Sequence, residues 1–331
     1  MTSSTARMAP KPRSAAAPAA AAATGDFASQ VLAGLSASTK HIPSTWFYDQ
    51  RGSELFEQIT GLAEYYPTRS EIALLRGLHD EFDRLPAGAA VVEFGSGSSR
   101  KTPLLLDALR APGSYTAIDI SGDFLQQAMR GLQLRYPRLA VHALEADFTA
   151  PLRWPSALLE QVGRQPRIGF FPGSTIGNFT PEQAVQFLHG AAVFLGAGAH
   201  LLVGVDGTRD KARLLPAYDD SRGVTAAFNR NLLVRINREL GADFDPQAFD
   251  HQARFDPQRG RVEMHLASRV RQTVRLQGRV FDFESGETIH TENSYKYPVA
   301  MFQQLARSAG WHPQNHWLAE GVDYAVHALV C

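Results

Sequence analysis

The sequence predicts an α/β protein: a doubly wound parallel sheet followed by a second lobe of antiparallel strands. Three observations carry this. Short apolar segments alternate with helical patterns from about residue 90 to 206, the signature of strands joined by crossover helices. The first segment, VVEF, runs into a glycine-bearing turn and a helix, GSGSSRKTPLLLDAL, which is how such a sheet presents backbone N–H groups to a ligand. After Asp206 the pattern changes to one long amphipathic stretch and then to period-two segments, which suit antiparallel strands outside the main sheet.

Residues 1–25, MTSSTARMAPKPRSAAAPAAAAATG, are rich in Ala, Pro and Ser and carry only basic charges. They are expected to form a disordered tail. A signal peptide calls for a Leu/Val-type apolar centre, whereas here an alanine run is broken by Pro18. From residue 26 to about 85 the pattern is helical but interrupted by IPSTWFYDQRGSELFEQITGLAEYYPTRSE, which crowds together Trp46, Tyr48, Tyr65 and Tyr66. Strands are expected at 91–94, 115–121, 140–148, 167–178 and 199–206, with helices after Lys101, after Ser121 and from Pro181. Thr180 reads as an N-cap, with Pro181 at the first helical position and Gln183 three residues after the cap. A helix over 224–240 stops at Gly241, and RVEMHLASRVRQTVRL and RVFDFESGETIHTENSYKY read as antiparallel strands. The chain is expected to return to the sheet with a helix near 299–309 and the final DYAVHALVC. The resulting division is a nucleotide-fold domain of 70–205 and 297–331 and a second α+β domain of 26–69 and 206–296.

With 331 residues, 44% hydrophobic and 20% charged, the chain can bury a sizeable core. Its 33 basic and 33 acidic residues cancel, so no global field draws it to nucleic acid or anionic lipid. A small-molecule partner is expected, with no nucleic acid and no membrane, and no apolar run reaches the ~18 residues of a spanning helix. The single cysteine, Cys331, is the last residue, and no Cys/His cluster has zinc-like spacing. The expectation is therefore a cytoplasmic protein without a metal.

The ligand of the glycine turn is narrowed by what the turn lacks. In Gly95-Ser-Gly97-Ser-Ser-Arg100, arginine replaces the third glycine of the dinucleotide fingerprint, and no glycine precedes Lys101 as a triphosphate loop requires. Asp119 ends the second strand, where a carboxylate takes ribose hydroxyls in NAD and S-adenosylmethionine folds alike. The discriminating feature is Asp147-Phe148 after the third strand: an acceptor for an adenine amino group beside a ring that packs on the base. Together with Glu93 before the glycines, this suits a methyltransferase. The structural alternatives are a satisfied strand-end Glu93, a core Phe148 and a solvated Lys101.

The motifs WFYDQRGSELFEQIT, EYYPTRSE, EFGSGSSRKT, FPGSTIGNF, AYDDSRGVTAAFNRN, VEMHL and TENSYKY occur in that order. In them the chain resembles the ergothioneine-pathway histidine Nα-methyltransferases, from about Lys40 to the C-terminus. The resemblance implies a Rossmann-like class I methyltransferase domain joined to a family-specific α+β substrate-binding domain. It implies transfer of three methyl groups from S-adenosylmethionine to the α-amine of L-histidine, giving hercynine, the first step of ergothioneine biosynthesis. By the same resemblance Gly95, Lys101, Asp119, Asp147 and Phe148 hold the methyl donor, and Asn178 and Tyr218 grip the substrate carboxylate. Tyr48, the catalytic candidate, and the backbone of Gly173 lie near the amine. Tyr65, Glu292 and Ser294 face the imidazole, with Met264 packed against the ring. No metal is implied, and a monomer is expected.

The residue chemistry agrees. Asn supplies donor and acceptor and Tyr a donor, enough to hold a carboxylate. Glu292 and Ser294 are two apart on an expected strand and share a face, whereas His265 alternates away from Met264 and reads as structural. Tyr48 and Phe47 are the aromatic faces available to a growing ammonium. The alternative activity is N-methylation of another amino acid or amine such as tryptophan, against which Met264 and Glu292 weigh. A non-catalytic binding protein is opposed by the complete set of donor-site residues.

Overall fold

The computed structural model describes residues 17–331 except Ser98 and Ser121. Residues 1–16 of the expected tail lie outside the described residues, and the rest of that expectation is corrected: helix α1 (Ala17–Ser36) starts inside it. Alanine is the strongest helix former, so the alanine run joins the helix that FASQVLAGLS continues. Phe27, Val31 and Leu35, four residues apart, bury one face of it.

A 3-10 turn (Ser44–Phe47), α2 (Gln50–Thr60), α3 (Tyr66–Gly77) and α4 (His79–Asp83) lead into the sheet. Strands β1 (Ala90–Phe94), β2 (Ser114–Asp119), β3 (Ala140–Glu145), β4 (Arg167–Phe171) and β5 (His200–Asp206) alternate with α5 (Thr102–Leu106), α6 (Gly122–Arg135), α7 (Ser156–Val162) and α8 (Pro181–Leu195). Then come α9 (Lys211–Tyr218), α10 (Val224–Leu240), β6 (Phe249–Asp256), β7 (Arg261–Ser268), β8 (Gln272–Leu276), β9 (Arg279–Phe283) and β10 (Thr288–Tyr295). The chain closes with α11 (Val299–Ser308), β11 (His312–Leu318) and β12 (Tyr324–Val330).

The seven-stranded sheet has the order β11-β12-β5-β4-β1-β2-β3. β1 to β5 pair in parallel, and β12 and β11 close one edge antiparallel. β1 has β2 on one side and β4 on the other, so the winding reverses there, and the crevice beyond the strand ends is the place where such sheets take ligands. Val91 and Val92 point into different core clusters, one against α3 to α6 and one against α8 and α11. Both faces are covered, which is why β1 is buried throughout.

The second part of the structure is a three-stranded antiparallel sheet, β10-β7-β6, and a β8–β9 hairpin. Phe228, Leu232, Leu233 and Ile236 of α10 share one core with Phe47, Leu55 and Ile59 from the N-terminal segments and with Met264 and Leu266 of β7. The Thr180 capping box forms as expected: its side chain accepts from Gln183 N, while the Gln183 side chain accepts from Thr180 N. α10 ends at Gly241 in the left-handed region. Strands β6 (FDHQARFD) and β11 (HPQNHWL) were not expected from sequence. Both are polar edge strands whose alternation is blurred by His, Gln and Arg or by Pro.

Candidate active site

At the carboxyl ends of the parallel strands lie the residues expected to hold the donor. Gly95 sits at φ +69, and a β-carbon there would come 3.3 Å from Phe148 Cε1, so the turn and that ring require a glycine. Gly97 N–H donates to Asp119 Oδ2 at 3.1 Å, locking the turn onto the end of β2. Asp147 Oδ1 accepts from Thr149 N and Oγ1 at 2.8 and 2.6 Å, which aims the exposed carboxylate into the cleft it lines. Phe148 is half-buried and packs edge-on against Phe171 and Phe187. Glu93 is a satisfied strand-end residue: its carboxylate accepts from Thr102 Oγ1 and Tyr115 Oη at 2.6 and 2.7 Å, and burial pushes it up to about 7. Lys101 is not a solvated helix residue. Its Nζ lies 2.5 Å from Glu71 Oε2, and Glu71, fully buried on α3, also accepts from Gly173 N at 2.8 Å. Of these residues Asp147 lines a cleft of about 1310 Å³, which Ile120 and Gly122 just past Asp119 also line; a glycine turn and two strand-end carboxylates are the donor and acceptor set that the ribose hydroxyls and amino group of S-adenosylmethionine would require.

That cleft opens onto an inner chamber of about 50 Å³. All eight residues expected near the substrate line it: Tyr48, Tyr65, Gly173, Asn178, Tyr218, Met264, Glu292 and Ser294. Tyr48, Asn178 and Glu292 line both spaces and mark the passage between them. The convergence has local causes. Asp49 caps α2 by accepting from Gly52 N, and it also accepts from Asn231 and Arg238 of α10, which fixes Tyr48 next door. Asn178 ends a 3-10 turn (Thr175–Asn178) that follows β4. A β-carbon on Gly177 in that turn would come 2.6 Å from Tyr295 O, so a glycine lets the turn press against β10. On β10, Glu292 stands opposite Met264 of β7.

The chamber wall is aromatic. Tyr48 makes edge contacts with Phe56 at 5.7 Å and Phe228 at 5.9 Å, and Tyr65 meets Tyr218 at 6.3 Å between ring centres. Phe56 and Phe228 thus take the place expected for Phe47, which is fully buried and stacked on Phe228 at 4.5 Å; this expectation is corrected. Burial, then the charges of Glu292 and Asp119, hold the Tyr48 phenol far above its usual range, and burial does the same to Tyr65. Both remain neutral hydrogen-bonding groups. Burial raises Glu292 to about 7, against the pull of Lys296.

Sequence reasoning missed the buried charges that support this wall. Lys296, 1% exposed, places its Nζ 2.9 Å from Asp206 Oδ2, 2.7 Å from Tyr218 Oη and 3.0 Å from Ser294 Oγ. Tyr218 Oη and Ser294 Oγ are 2.7 Å apart, and Tyr66 Oη donates to Asp206 Oδ2 at 2.5 Å. Burial pulls the Lys296 ammonium down, but Asp206 and Tyr218 override it and raise its pKa. The signals were present: Lys296 continues the alternation of Glu292 and Ser294, and Asp206 ends an apolar strand as Asp119 does.

His265 lies on the opposite face from Met264, buried, its Nε2 3.0 Å from Glu263 Oε2 and its ring stacked on His290 at 4.9 Å. Burial lowers His265 to about 4 against the pull of Glu263. Glu263, His265 and His290 bring potential ligand atoms within 4.8 Å of one another. Stacked rings direct their lone pairs along nearly parallel planes, however, and Arg261 already holds Glu263 at 2.8 Å. His290 Nε2 is already engaged 2.9 Å from Glu292 O.

The family described as "Histidine-specific methyltransferase, SAM-dependent" matches residues 27–331. The chain is 43% identical over 302 residues to the histidine N-alpha-methyltransferase of Mycobacterium tuberculosis (strain CDC 1551 / Oshkosh), covering 89% of this chain and 92% of that protein. It is 41% identical over 306 residues to the histidine N-alpha-methyltransferase of Mycolicibacterium smegmatis, covering 91% and 93%. Ergothioneine biosynthesis protein 1 of Neurospora crassa is 32% identical over 308 residues, which span 88% of this chain and 33% of that longer protein. With a glycine turn, two strand-end carboxylates and an aromatic chamber beside them, and with a match over nearly the whole chain, this protein belongs to the SAM-dependent, histidine-specific methyltransferase family.

Proposed function

We propose that this chain transfers three methyl groups in succession from S-adenosylmethionine to the α-amine of L-histidine, giving hercynine for ergothioneine biosynthesis. The observation that carries the reading is the chamber, in which eight residues from widely separated segments meet beside the cleft lined by Asp147. S-adenosylmethionine supplies an electrophilic methyl with its own leaving group, so the protein has to orient an amine rather than activate it strongly.

In this reading Asp119 takes the ribose hydroxyls, Asp147 the adenine amino group, and Gly95 and Phe148 shape the floor. Lys101 acts through Glu71, which accepts from the Gly173 N–H and so fixes that stretch of backbone near the amine. Asn178 and Tyr218 hold the carboxylate. Glu292 and Ser294 meet the imidazole with Tyr65 at its edge, and Met264, 2% exposed, closes the space beside the ring. Tyr48 orients the amine by its O–H, since a phenol this far above its usual range is no base at neutral pH. Tyr48, Phe56 and Phe228 offer ring faces to the ammonium that grows with each transfer.

The proposed division of labour follows the two sheets, with residues 70–205 and 297–331 binding the donor and residues 26–69 and 206–296 most of the acceptor. A cytoplasmic monomer completes the reading; among the described residues no helix is long and apolar enough to cross a membrane. The small chamber with a carboxylate on its wall favours an imidazole over an indole. Mass spectrometry of the protein incubated with S-adenosylmethionine and each amino acid in turn tests this. Histidine gaining three methyls is the expected result, and exclusive methylation of tryptophan would overturn it.

A further inference from the structure

We propose that His251 is a positioning residue for substrate binding: locked in one tautomer by Asn229, it holds the backbone carbonyl of Tyr218 and so fixes where that side chain enters the chamber. This rests on the reading above that Tyr218 grips the substrate carboxylate.

Tyr218 is the last residue of α9, so its C=O finds no donor within the helix. His251 of β6 supplies one. Its Nε2 lies 2.7 Å from Tyr218 O, and because a carbonyl only accepts, Nε2 must carry the proton. The His251 side chain is 1% exposed, and the Asp219 carboxylate stands 3.9 Å from Nε2, beyond hydrogen-bond length. Burial lowers the pKa of the ring against the pull of the Tyr218 carbonyl, so the ring is neutral and its Nδ1 is an acceptor. Asn229 Nδ2 lies 2.9 Å from that atom.

The amide cannot be turned the other way. Asn229 Nδ2 also donates to His265 O at 3.1 Å, while Oδ1 accepts from Thr291 Oγ1 at 2.8 Å, and a flipped amide would set its oxygen against His265 O. Two backbone carbonyls, Tyr218 O and His265 O, thus dictate the ring tautomer and the amide orientation separately, and the two demands agree. Thr291 is the residue without an opposite where the β7–β10 register shifts between His290 and Glu292. Through Asn229, 0% exposed, that irregularity and β7 are tied to the end of α9. At its far end Tyr218 Oη lies 2.7 Å from both Lys296 Nζ and Ser294 Oγ. Tyr218 is therefore held at its tip by these two and at its root by His251, and losing the root contact lets the end of α9 drift.

The contrasting role for His251 is a satisfied core group that stabilises the fold with no bearing on histidine. Two uncharged substitutions separate the roles. A glutamine amide reaches about where Nε2 stands and an asparagine amide only where Nδ1 stands, so His251→Gln can still donate to Tyr218 O, whereas His251→Asn can meet Asn229 alone. In His251→Asn the histidine KM should rise about 10-fold, the scale of one buried carbonyl left without its donor. Turnover at saturating histidine, and S-adenosylmethionine affinity by calorimetry, should hold. His251→Gln should keep the KM near that of the wild type. Asn229→Ala, which unlocks the tautomer without touching His251, carries the same KM prediction as His251→Asn and stands in should that variant fail to fold. Added to Tyr218→Phe, either KM-raising change should have no further effect, because the hydroxyl it steers is gone. Equal KM values for His251→Asn and His251→Gln, or full additivity with Tyr218→Phe, overturn the inference and leave His251 a core polar group. A Tyr218→Phe single variant with unchanged histidine KM would overturn the carboxylate reading itself, so the two failures are told apart.

Discussion

The two ends of the site are built on different physical terms. At the donor end, groups stand at strand ends and are steadied by neighbours close in sequence or by backbone: Asp147 by Thr149, Asp119 by Gly97 N–H. These two carboxylates stay at least part-exposed, ready to exchange water for ligand, while Lys101 and Glu93 behind them are held by buried partners. At the acceptor end a lysine and an aspartate, 1% and 0% exposed, hold each other and two hydroxyls that came from α9 and β10. Asp119 or Asp147 can be removed with little effect on the fold. At the second, recognition and stability share the same atoms.

The largest expected effect tests that contrast directly. Asp206→Ala leaves the Lys296 ammonium buried without its carboxylate and should cost about 3–5 kcal/mol of unfolding free energy, read by denaturant titration. Asp119→Ala should cost no more than about 1 kcal/mol yet weaken S-adenosylmethionine binding ~10- to 100-fold by calorimetry. Equal stability losses would erase the distinction between the ends. Asn178→Ala, at the passage between them, should raise the histidine KM ~10- to 100-fold while donor affinity holds; matching losses for both ligands would make it a turn residue only.

The same contrast explains what the sequence disclosed. β1 with its glycine turn, the Thr180 capping box and the Gly241 stop are local patterns, and each appears where the residues pointed. The inner chamber is non-local. Tyr48, Asn178, Tyr218 and Glu292 share no periodicity, and their grouping was legible only through family motifs in order. Lys296 was overlooked because an alternating Glu-x-Ser-x-Lys reads as a solvated strand face unless one knows that Asp206, ninety residues earlier, ends beside it. Phe47 was misassigned for a similar reason: adjacent to Tyr48 in sequence, it is fully buried in the core and stacked on Phe228. The alanine run of α1 went the other way, because low complexity suggested a tail where helix propensity was high.

Two glutamates, one at each end, sharpen the comparison with pH. Glu93 and Glu292 are both raised by burial from 4.5 to about 7. A raised acid keeps in the folded state a proton that the unfolded chain releases, so the ligand-free protein should lose stability as pH rises from about 4.5 through about 7. Glu93→Gln and Glu292→Gln should each flatten that slope in denaturant titrations at pH 5 and pH 8. Only Glu292→Gln should also raise the histidine KM, by roughly 10-fold for a weakened charge-assisted bond, because Glu93 spends its carboxylate on Thr102 and Tyr115. A comparable rise in KM for Glu93→Gln would mean that the donor-end glutamate reaches the acceptor after all.

The smallest effect concerns Tyr48, where the two ends meet. Its phenol is held above the usual range by burial first and then by the charges of Glu292 at one end and Asp119 at the other. At neutral pH it can donate and orient but cannot take a proton as phenolate. Tyr48→Phe should therefore lower kcat by no more than about 10-fold, the scale of one hydrogen bond, and leave the shape of the pH–rate profile unchanged. Loss of a general base would instead cost about 10²- to 10⁴-fold and remove a limb of that profile. The ring has a separate task, because its edge contacts with Phe56 and Phe228 at 5.7 and 5.9 Å complete the aromatic wall. Tyr48→Leu should consequently fall below Tyr48→Phe, most of all in the third transfer, when the acceptor is on its way to a quaternary ammonium. Following mono-, di- and trimethylated product over time for both variants reads this out, and equal profiles would assign Tyr48 to its hydroxyl alone.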